Sequence, residues 1–184
     1  TFGKGMANGF SVAALCGKRE FMKIGGIKEI GAERVFLTST THGAEMCGLG
    51  ALVETIKFYK EHKVVDHLWK YGKKLISEMN TIAKELQISD HFALTGIECS
   101  PNYVTKDANK EVSLAFRTLF SQEMIKNGVL MPWIAISYAH TDKELNKTLE
   151  AVRKSLQVYA KALNDGVDKY LVGDTIKPVF RKYN

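Results

Sequence analysis

Glycine is concentrated at the start of this 184-residue sequence, which limits what the first part of the chain can build. The glycines within residues 1–33 are Gly3, Gly5, Gly9, Gly17, Gly25, Gly26 and Gly31. Glycine at this density favours turns and close backbone approaches over an independent core. We therefore expect residues 1–63 to be the end of a larger domain whose beginning lies outside this sequence.

Local patterns predict a few elements within this first part. The apolar runs at residues 11–16 and 34–38 each predict a short strand, the first of them buried. A polar cluster at residues 39–43 then leads into a helix. Apolar side chains fall at helical spacing along that helix, at Leu49, Leu52, Val53, Ile56 and Tyr59.

Residues 64–163 predict a separate α+β domain, in which helices cover one face of a small, mainly antiparallel sheet. Amphipathic periodicity predicts helices over residues 64–86 and 110–127, the second ending at a left-handed Gly128. A capping box from Thr141 to Glu144 opens the last helix. The predicted strands are residues 92–97, 103–105, 129–131 and 134–138. Residues 164–184 are predicted to be a C-terminal tail.

Composition narrows the class of protein. Apolar residues make up 45% and charged residues 25%, as in ordinary soluble proteins. The 26 Lys and Arg exceed the 20 Asp and Glu, but they alternate with acids instead of forming the basic stripe of a nucleic-acid binder. No apolar run predicts a membrane span. The three cysteines, Cys16, Cys47 and Cys99, are odd in number and far apart, which predicts free thiols in a reducing cytoplasm.

Several common catalytic motifs do not occur in the sequence. The glycines around Lys4 and Lys18 lack phosphate-loop spacing, and His62 and His67 lack the H-E-x-x-H arrangement of a zinc site. There is also no G-x-S-x-G elbow. We expect neither a metal site nor serine-hydrolase chemistry.

Two local features remain open to a functional interpretation. Lys4 lies in a glycine-lined turn, which suits a Schiff-base lysine whose amine is held near a carbonyl, but equally suits a solvated loop lysine. The hydroxyl groups of residues 39–41, before a helix, suit either a bound phosphate or an ordinary N-cap. Taken alone, both features favour the ordinary structural interpretation.

Four segments together resemble the class III aminotransferases that depend on pyridoxal phosphate (PLP), most closely the glutamate-1-semialdehyde aminomutase-like branch. They are residues 1–15 (TFGKGMANGFSVAAL), 36–43 (FLTSTTHG), 116–130 (FRTLFSQEMIKNGVL) and 137–142 (SYAHTD). The resemblance implies an α/β protein of PLP fold type I. Residues 1–63 would then end the large PLP-binding domain, and residues 64–163 would form the small α+β domain.

The resemblance also implies roles for individual residues. Lys4 would be both the catalytic residue and the Schiff-base attachment for PLP, and Thr40 would bind the PLP phosphate of the neighbouring subunit. This arrangement implies a homodimer with shared active sites. The implied reaction moves an amino group from a small-molecule donor, either to an acceptor (an aminotransferase) or to a neighbouring carbon of the same skeleton (an aminomutase).

The family pattern includes an upstream half that this sequence does not contain. That half supplies a phosphate loop, an aromatic residue over the pyridine ring and an Asp that keeps the ring nitrogen protonated. We therefore expect the isolated chain to be inactive, and a non-catalytic folding or interaction module is the alternative. Substrate choice is expected partly around Pro132 and Trp133, whereas Arg34 and Arg117 are expected to be surface residues.

Overall fold

The computed structural model describes residues 1–26, 28–31, 43, 45–178 and 180. Within it the chain divides into two compact units, Thr1–Val64 and Val65–Asn184.

The described part of the first unit contains short turns and one long helix. Phe2 and Ala14 form an isolated antiparallel bridge, with N···O distances of 2.8 and 2.9 Å. Between them lies a 3-10 turn, Lys4–Ala7. The short helix α1 (Arg19–Met22) and the 3-10 turn Lys23–Gly25 follow, and the long helix is α2 (Met46–Glu61). Because glycine and small residues dominate the turns, this unit buries little apolar surface of its own.

Helix α2 confirms the helix predicted from apolar spacing. Its apolar side chains Met46, Leu49, Val53 and Ile56 are nevertheless exposed, Met46 to 81%. The opposite side carries Gly48, where a Cβ atom would come within 2.7 Å of the Ser11 carbonyl oxygen. The missing side chain at Gly48 therefore allows the helix to approach the loop at Ser11 closely.

The prediction of a buried strand at residues 11–16 is wrong. Only Ala14 pairs with another backbone, through its bridge to Phe2, and Leu15 and Cys16 are exposed. An apolar run becomes a buried strand only where neighbouring strands offer pairing partners, and the described part of this unit provides one bridge. The strand predicted at residues 34–38 lies outside the described residues.

Three helices and one hairpin make up the second unit over its described residues. The elements are α3 (Val64–Glu85), β1 (Phe92–Ile97), β2 (Ser100–Thr105), α4 (Leu114–Lys126) and α5 (Asp142–Asp165), followed by the 3-10 turn Val167–Lys169. The hairpin pairs Phe92 with Thr105 and Leu94 with Tyr103 in antiparallel register. Because side chains alternate along a strand, these four residues share one face of the hairpin.

The helices pack on that face and form a continuous core. Its fully buried members include Met79 of α3, Phe120 of α4 and Leu156 of α5. Aromatic rings connect the layers, with Phe92 and Phe120 centred 4.8 Å apart and Phe116 and Tyr159 centred 4.6 Å apart. The core thus supports the predicted arrangement of helices on one face of a sheet, although the sheet has two strands in the described residues.

Both predicted helix caps are confirmed. The Thr141 hydroxyl accepts a hydrogen bond from the Lys143 amide at 3.2 Å, and the Glu144 carboxylate accepts one from the Thr141 amide at 2.8 Å. At the end of α4, Gly128 has φ +77°, and its amide donates to the Ile125 carbonyl at 2.9 Å. This pattern is a Schellman motif, which requires a left-handed residue at that position.

Two other predictions for this unit need correction. Helix α4 begins at Leu114 rather than near residue 110, because Asp107 and the left-handed Lys110 (φ +65°) form a turn and Ser113 then caps the helix. Residues 129–131 and 134–138 are not strands. The main-chain oxygen of Met131, at the end of the first stretch, accepts a hydrogen bond from a side chain instead of a neighbouring strand. The oxygen of the next residue, Pro132, accepts hydrogen bonds from two side chains.

The segment after α5 contacts α4. The Gln122 side chain donates to the Tyr170 carbonyl at 2.9 Å and accepts from the Val172 amide at 2.8 Å. The Ile176 amide donates to the Thr118 hydroxyl at 3.0 Å. Up to residue 176, the segment after α5 is therefore hydrogen bonded to helix α4 of the same unit.

Candidate functional site

Lys4 lies at the first position of the 3-10 turn Lys4–Ala7, and its side chain is exposed. Its backbone is left-handed, with φ +51°, and Asn8 at the end of the turn is also left-handed, with φ +46°. The turn is closed by hydrogen bonds from the Met6 amide to the Gly3 carbonyl (3.2 Å) and from the Asn8 amide to the Gly5 carbonyl (3.4 Å). The lysine is thus held at its backbone while its amine stays accessible.

Small residues lie on either side of Lys4 in this turn, at Gly3 and Gly5. Ala7 is buried, and a Cβ atom at Gly5 would lie 3.8 Å from the Tyr59 hydroxyl of α2. Helix α2 therefore packs against the turn that carries Lys4. Small side chains beside Lys4 leave its backbone open to a flat molecule.

The left-handed conformation of Lys4 bears on whether the turn suits PLP. A residue with a Cβ atom pays about 1 kcal/mol or more for this conformation, which glycine adopts freely. Such outliers persist where the surrounding structure enforces them, and they are common at functional positions. An accessible amine on an enforced, glycine-flanked turn fits the residue that attaches PLP.

The second predicted cofactor residue, Thr40, lies outside the described residues, as do the neighbouring positions 39, 41 and 42. Of that cluster the structure describes Gly43, which is in an exposed turn. The role of Thr40 as a phosphate-binding residue stays a prediction.

The second unit contains a cavity of about 520 Å³, large enough for a small molecule. Apolar side chains of residues 129–136 form much of its wall. The remaining lining residues are Tyr71, Leu75, Gly128, His140, Glu144, Lys147 and Thr148. The segment around Pro132 and Trp133, expected to influence substrate choice, therefore lines a real cavity.

The pKa values of two ionisable groups at this cavity are shifted from their usual values. Burial raises the pKa of the Tyr71 hydroxyl, and the nearby carboxylates of Glu144 and Asp142 raise it further. Hydrogen bonds from the Thr141 hydroxyl and backbone amide lower the pKa of Glu144 from 4.5 to about 2. Near neutral pH the cavity rim thus carries an ionised Glu144 and a neutral Tyr71.

The expectation that Arg117 is a surface residue is wrong. Arg117 is partly buried, and its guanidinium donates hydrogen bonds to the carbonyl oxygens of Tyr103 and Pro132. Its position on a predicted helix gave no sign of these partners, which are 14 and 15 residues away in the chain. Arg34 lies outside the described residues.

Comparison with known proteins identifies related sequences. The chain is 33% identical over 166 residues to a 3-aminobutyryl-CoA aminotransferase of Cloacimonas acidaminovorans (strain Evry), covering 89% of this chain and 38% of that protein. It is 28% identical over 169 residues to a glutamate-1-semialdehyde 2,1-aminomutase of Fusobacterium nucleatum subsp. nucleatum, covering 85% of this chain and 38% of that protein. No protein-family model matches the chain.

A solved structure shares the fold. The FumI protein of Sphingopyxis sp. MTA144, determined in its PLP internal aldimine form, superposes with a TM-score of 0.60 at 19% identity. The match covers 72% of this chain and 31% of that protein. At this identity the likeness shows the fold alone, which is that of the fold type I PLP enzymes.

The fold of the chain is thus the one found in fold type I PLP-dependent enzymes. With the sequence relatives, it supports an aminotransferase-like chain, similar to the PLP-dependent aminotransferases and aminomutases, with PLP as the cofactor. The resemblance stated from the sequence is confirmed. The chain spans about two fifths of the length of these sequence relatives, 38% in both cases. Among the described helices, none has the length and apolar character needed to cross a membrane.

Proposed function

We propose that the whole protein is a class III PLP-dependent enzyme that transfers amino groups, with Lys4 as the residue that attaches the cofactor. The observation that carries this proposal is the exposed Lys4 amine on a left-handed, glycine-flanked turn. PLP, when bound, supplies a ring that withdraws electrons from the substrate carbon.

Lys4 has two chemical tasks in this proposal. Its neutral amine is the nucleophile that attaches the cofactor and is displaced by the amino substrate. Once displaced, the same amine would accept a proton from the substrate α-carbon and deliver it to the cofactor carbon, acting as base and then as acid. The accessible side chain of Lys4 and the glycines beside it leave room for a flat cofactor to reach the amine.

The remaining assignments belong to the same proposal. Residues 1–63 end the large PLP-binding domain, residues 64–163 form the small domain, and residues 164–184 follow it as a C-terminal segment. Thr40 binds the cofactor phosphate of the neighbouring subunit in a cytoplasmic homodimer. The order of the four resembling segments along the chain supports these assignments.

Transfer between two substrates is favoured over an aminomutase reaction. The aminotransferase relative is 33% identical to this chain, whereas the aminomutase from Fusobacterium is 28% identical. The name of the first relative makes a β-amino acyl-CoA the first amino donor to test. We assign part of the substrate selection to the cavity wall at Pro132 and Trp133.

Reductive labelling of the full-length protein tests the proposal. The purified protein should be yellow, and borohydride should remove the visible absorbance and leave a pyridoxyl group on the peptide that contains Lys4. Lys4→Arg should abolish the label, because arginine keeps the charge but not the nucleophilic amine. Lys18→Arg, at another exposed lysine beside a glycine, should leave the label unchanged.

A label on another peptide, or no label, contradicts the assignment of Lys4. A colourless full-length protein that retains a folded second unit supports the alternative of a non-catalytic folding or interaction module. That alternative draws on the continuous core of the second unit.

A further inference from the structure

The carbonyl oxygen of Pro132 accepts hydrogen bonds from two side chains at once. The Tyr103 hydroxyl donates to it at 2.9 Å, and the Arg117 guanidinium donates to it through Nη2 at 3.1 Å. The same hydroxyl lies 3.3 Å from the Met131 carbonyl oxygen. Two consecutive residues of a segment without regular structure are therefore fixed through their main chain.

The two donors also fix each other. Arg117 donates through Nη1 to the Tyr103 carbonyl at 3.3 Å, and its guanidinium carbon lies 4.3 Å from the centre of the Tyr103 ring. Tyr103 is 1% exposed and packs against Phe120, with ring centres 5.0 Å apart. A planar guanidinium can make these contacts together because its donors form a rigid fork. We call Arg117 and Tyr103 the carbonyl clamp.

The segment that the clamp holds points its side chains in two directions. Met131 and Ile134 are each 8% exposed and belong to the core, whereas Leu130 is 79% and Trp133 68% exposed. All four line the cavity. Exposed apolar side chains on a firmly held segment are typical of a binding surface rather than of an ordinary solvent loop.

We propose that Arg117 and Tyr103 are positioning residues that hold Trp133 and Leu130 in place as a substrate-selecting wall. The inference rests on the proposed function for what the wall selects, namely the amino substrate. The positioning itself is a property of the second unit and can be measured without cofactor.

The first experiment measures the position of Trp133 directly. Trp69→Phe leaves Trp133 as the remaining tryptophan, and 5-fluorotryptophan then reports its surroundings by ¹⁹F NMR. Tyr103→Phe keeps the buried ring and removes only the hydroxyl, while Arg117→Met keeps the length of the side chain and removes the fork. Each change should shift or split the Trp133 resonance and increase its quenching by acrylamide.

Two controls separate positioning from general loss of stability. Arg153→Met removes a guanidinium from an exposed ion pair with Glu85, and Val152→Ala weakens the core of the same unit at a residue that is not part of the clamp. Both should leave the Trp133 resonance in place. An unchanged resonance in Tyr103→Phe and Arg117→Met, or an equal change in Val152→Ala, overturns the inference.

The second experiment uses the full-length, PLP-loaded protein. Tyr103→Phe and Arg117→Lys should raise KM for the amino substrate by about 3- to 10-fold and change kcat less, because a displaced wall weakens binding more than chemistry. Lysine cannot reproduce the two-carbonyl contact, so Arg117→Lys should not restore KM. If both variants lose kcat to the same extent while KM stays unchanged, the proposed role of the wall in substrate selection is wrong. Failure of the proposed function would appear separately, as a full-length protein without a pyridoxyl label.

Discussion

Gly72 of helix α3 lies directly against the backbone carbonyl of Glu98, at the end of the hairpin. A Cβ atom at Gly72 would overlap the Glu98 oxygen and come within 2.8 Å of the Ile136 side chain. Because a backbone carbonyl cannot turn aside as a flexible side chain can, only glycine allows α3 and the hairpin to pack this closely.

Gly72→Ala should therefore destabilise the second unit by about 3 kcal/mol or more, since the helix must move away from the hairpin. This loss outweighs the gain in helix propensity of about 1 kcal/mol that alanine brings over glycine. Urea unfolding followed by circular dichroism measures the difference. Gly50→Ala in α2 is the matched control, because a Cβ there meets no atom within 4 Å. A Gly72→Ala protein as stable as the wild type would contradict the close contact.

Tyr159→Phe tests a hydroxyl that joins α5 to the hairpin. The hydroxyl accepts from the Lys106 amide at 2.9 Å and lies 2.6 Å from the Lys106 carbonyl and 3.0 Å from the His91 carbonyl, both of which can accept its proton. Removing it takes a partner from the part-buried backbone groups of Lys106 and His91, which keep their own hydrogen bond to each other at 2.8 Å, and should cost about 1 kcal/mol in urea unfolding. Tyr170→Phe removes a hydroxyl that bonds the exposed Asp165, and its effect should stay within about 0.5 kcal/mol.

The capping box predicts an acid-sensitive contribution from Glu144. Its pKa in the folded state is about 2, below its usual 4.5, so the unfolded chain takes up the proton first. The stabilisation is therefore complete above pH 4.5 and is lost as the pH falls from 4.5 towards 2. In melting curves across this range, Glu144→Gln should lose less stability with falling pH than the wild type. The exposed-site control Glu78→Gln should follow the wild type, and parallel curves for all three proteins would rule out this contribution.

Lys4→Gly should separate the fold of the first unit from its chemistry. Glycine adopts φ +51° without the steric cost of a Cβ atom, so the turn should be as stable as in the wild type or more stable by up to about 1 kcal/mol. Hydrogen exchange of the Phe2 and Ala14 amides, which form the bridge around the turn, measures this change. The same variant should lose the pyridoxyl label in the full-length protein. Faster exchange at both amides would mean that the lysine side chain supports the turn.

Much of the second unit could be predicted because its signals are local. Helix α3, the Thr141 capping box and the left-handed Gly128 each depend on residues within one or two turns of the chain. The hairpin follows from two short runs separated by a turn. The core on its buried face then follows from alternation along the strands.

The failures occur where distant partners decide the conformation. Residues 129–138 have the composition of strands, but the Tyr103 hydroxyl and Arg117 occupy the Pro132 carbonyl. Among the described residues, the apolar run at residues 11–16 pairs with another backbone at the Ala14 bridge and finds no further strand partner. Neither circumstance can be inferred from local composition.

The candidate site shows the same division. The residues around Lys4 predict a turn. The role of Lys4 as the residue that attaches the cofactor came instead from the resemblance of four sequence segments to a family. The left-handed backbone of Lys4 is a finding of the structure, since lysine is not a residue that predicts positive φ. The carbonyl clamp, in turn, depends on contacts that only the folded chain provides.

The Tyr159 hydroxyl also sets the order in which the second unit can be completed during synthesis. It bonds main-chain groups that precede it by 53 and 68 residues, so the ribosome makes the hairpin long before its anchor exists. Until α5 has emerged, the nascent hairpin lacks the hydroxyl that holds Lys106 and His91, and two strands without such support are marginally stable in water. Completion of this unit accordingly waits for the synthesis of α5, and an mRNA truncated before the Tyr159 codon would yield a product without a closed core.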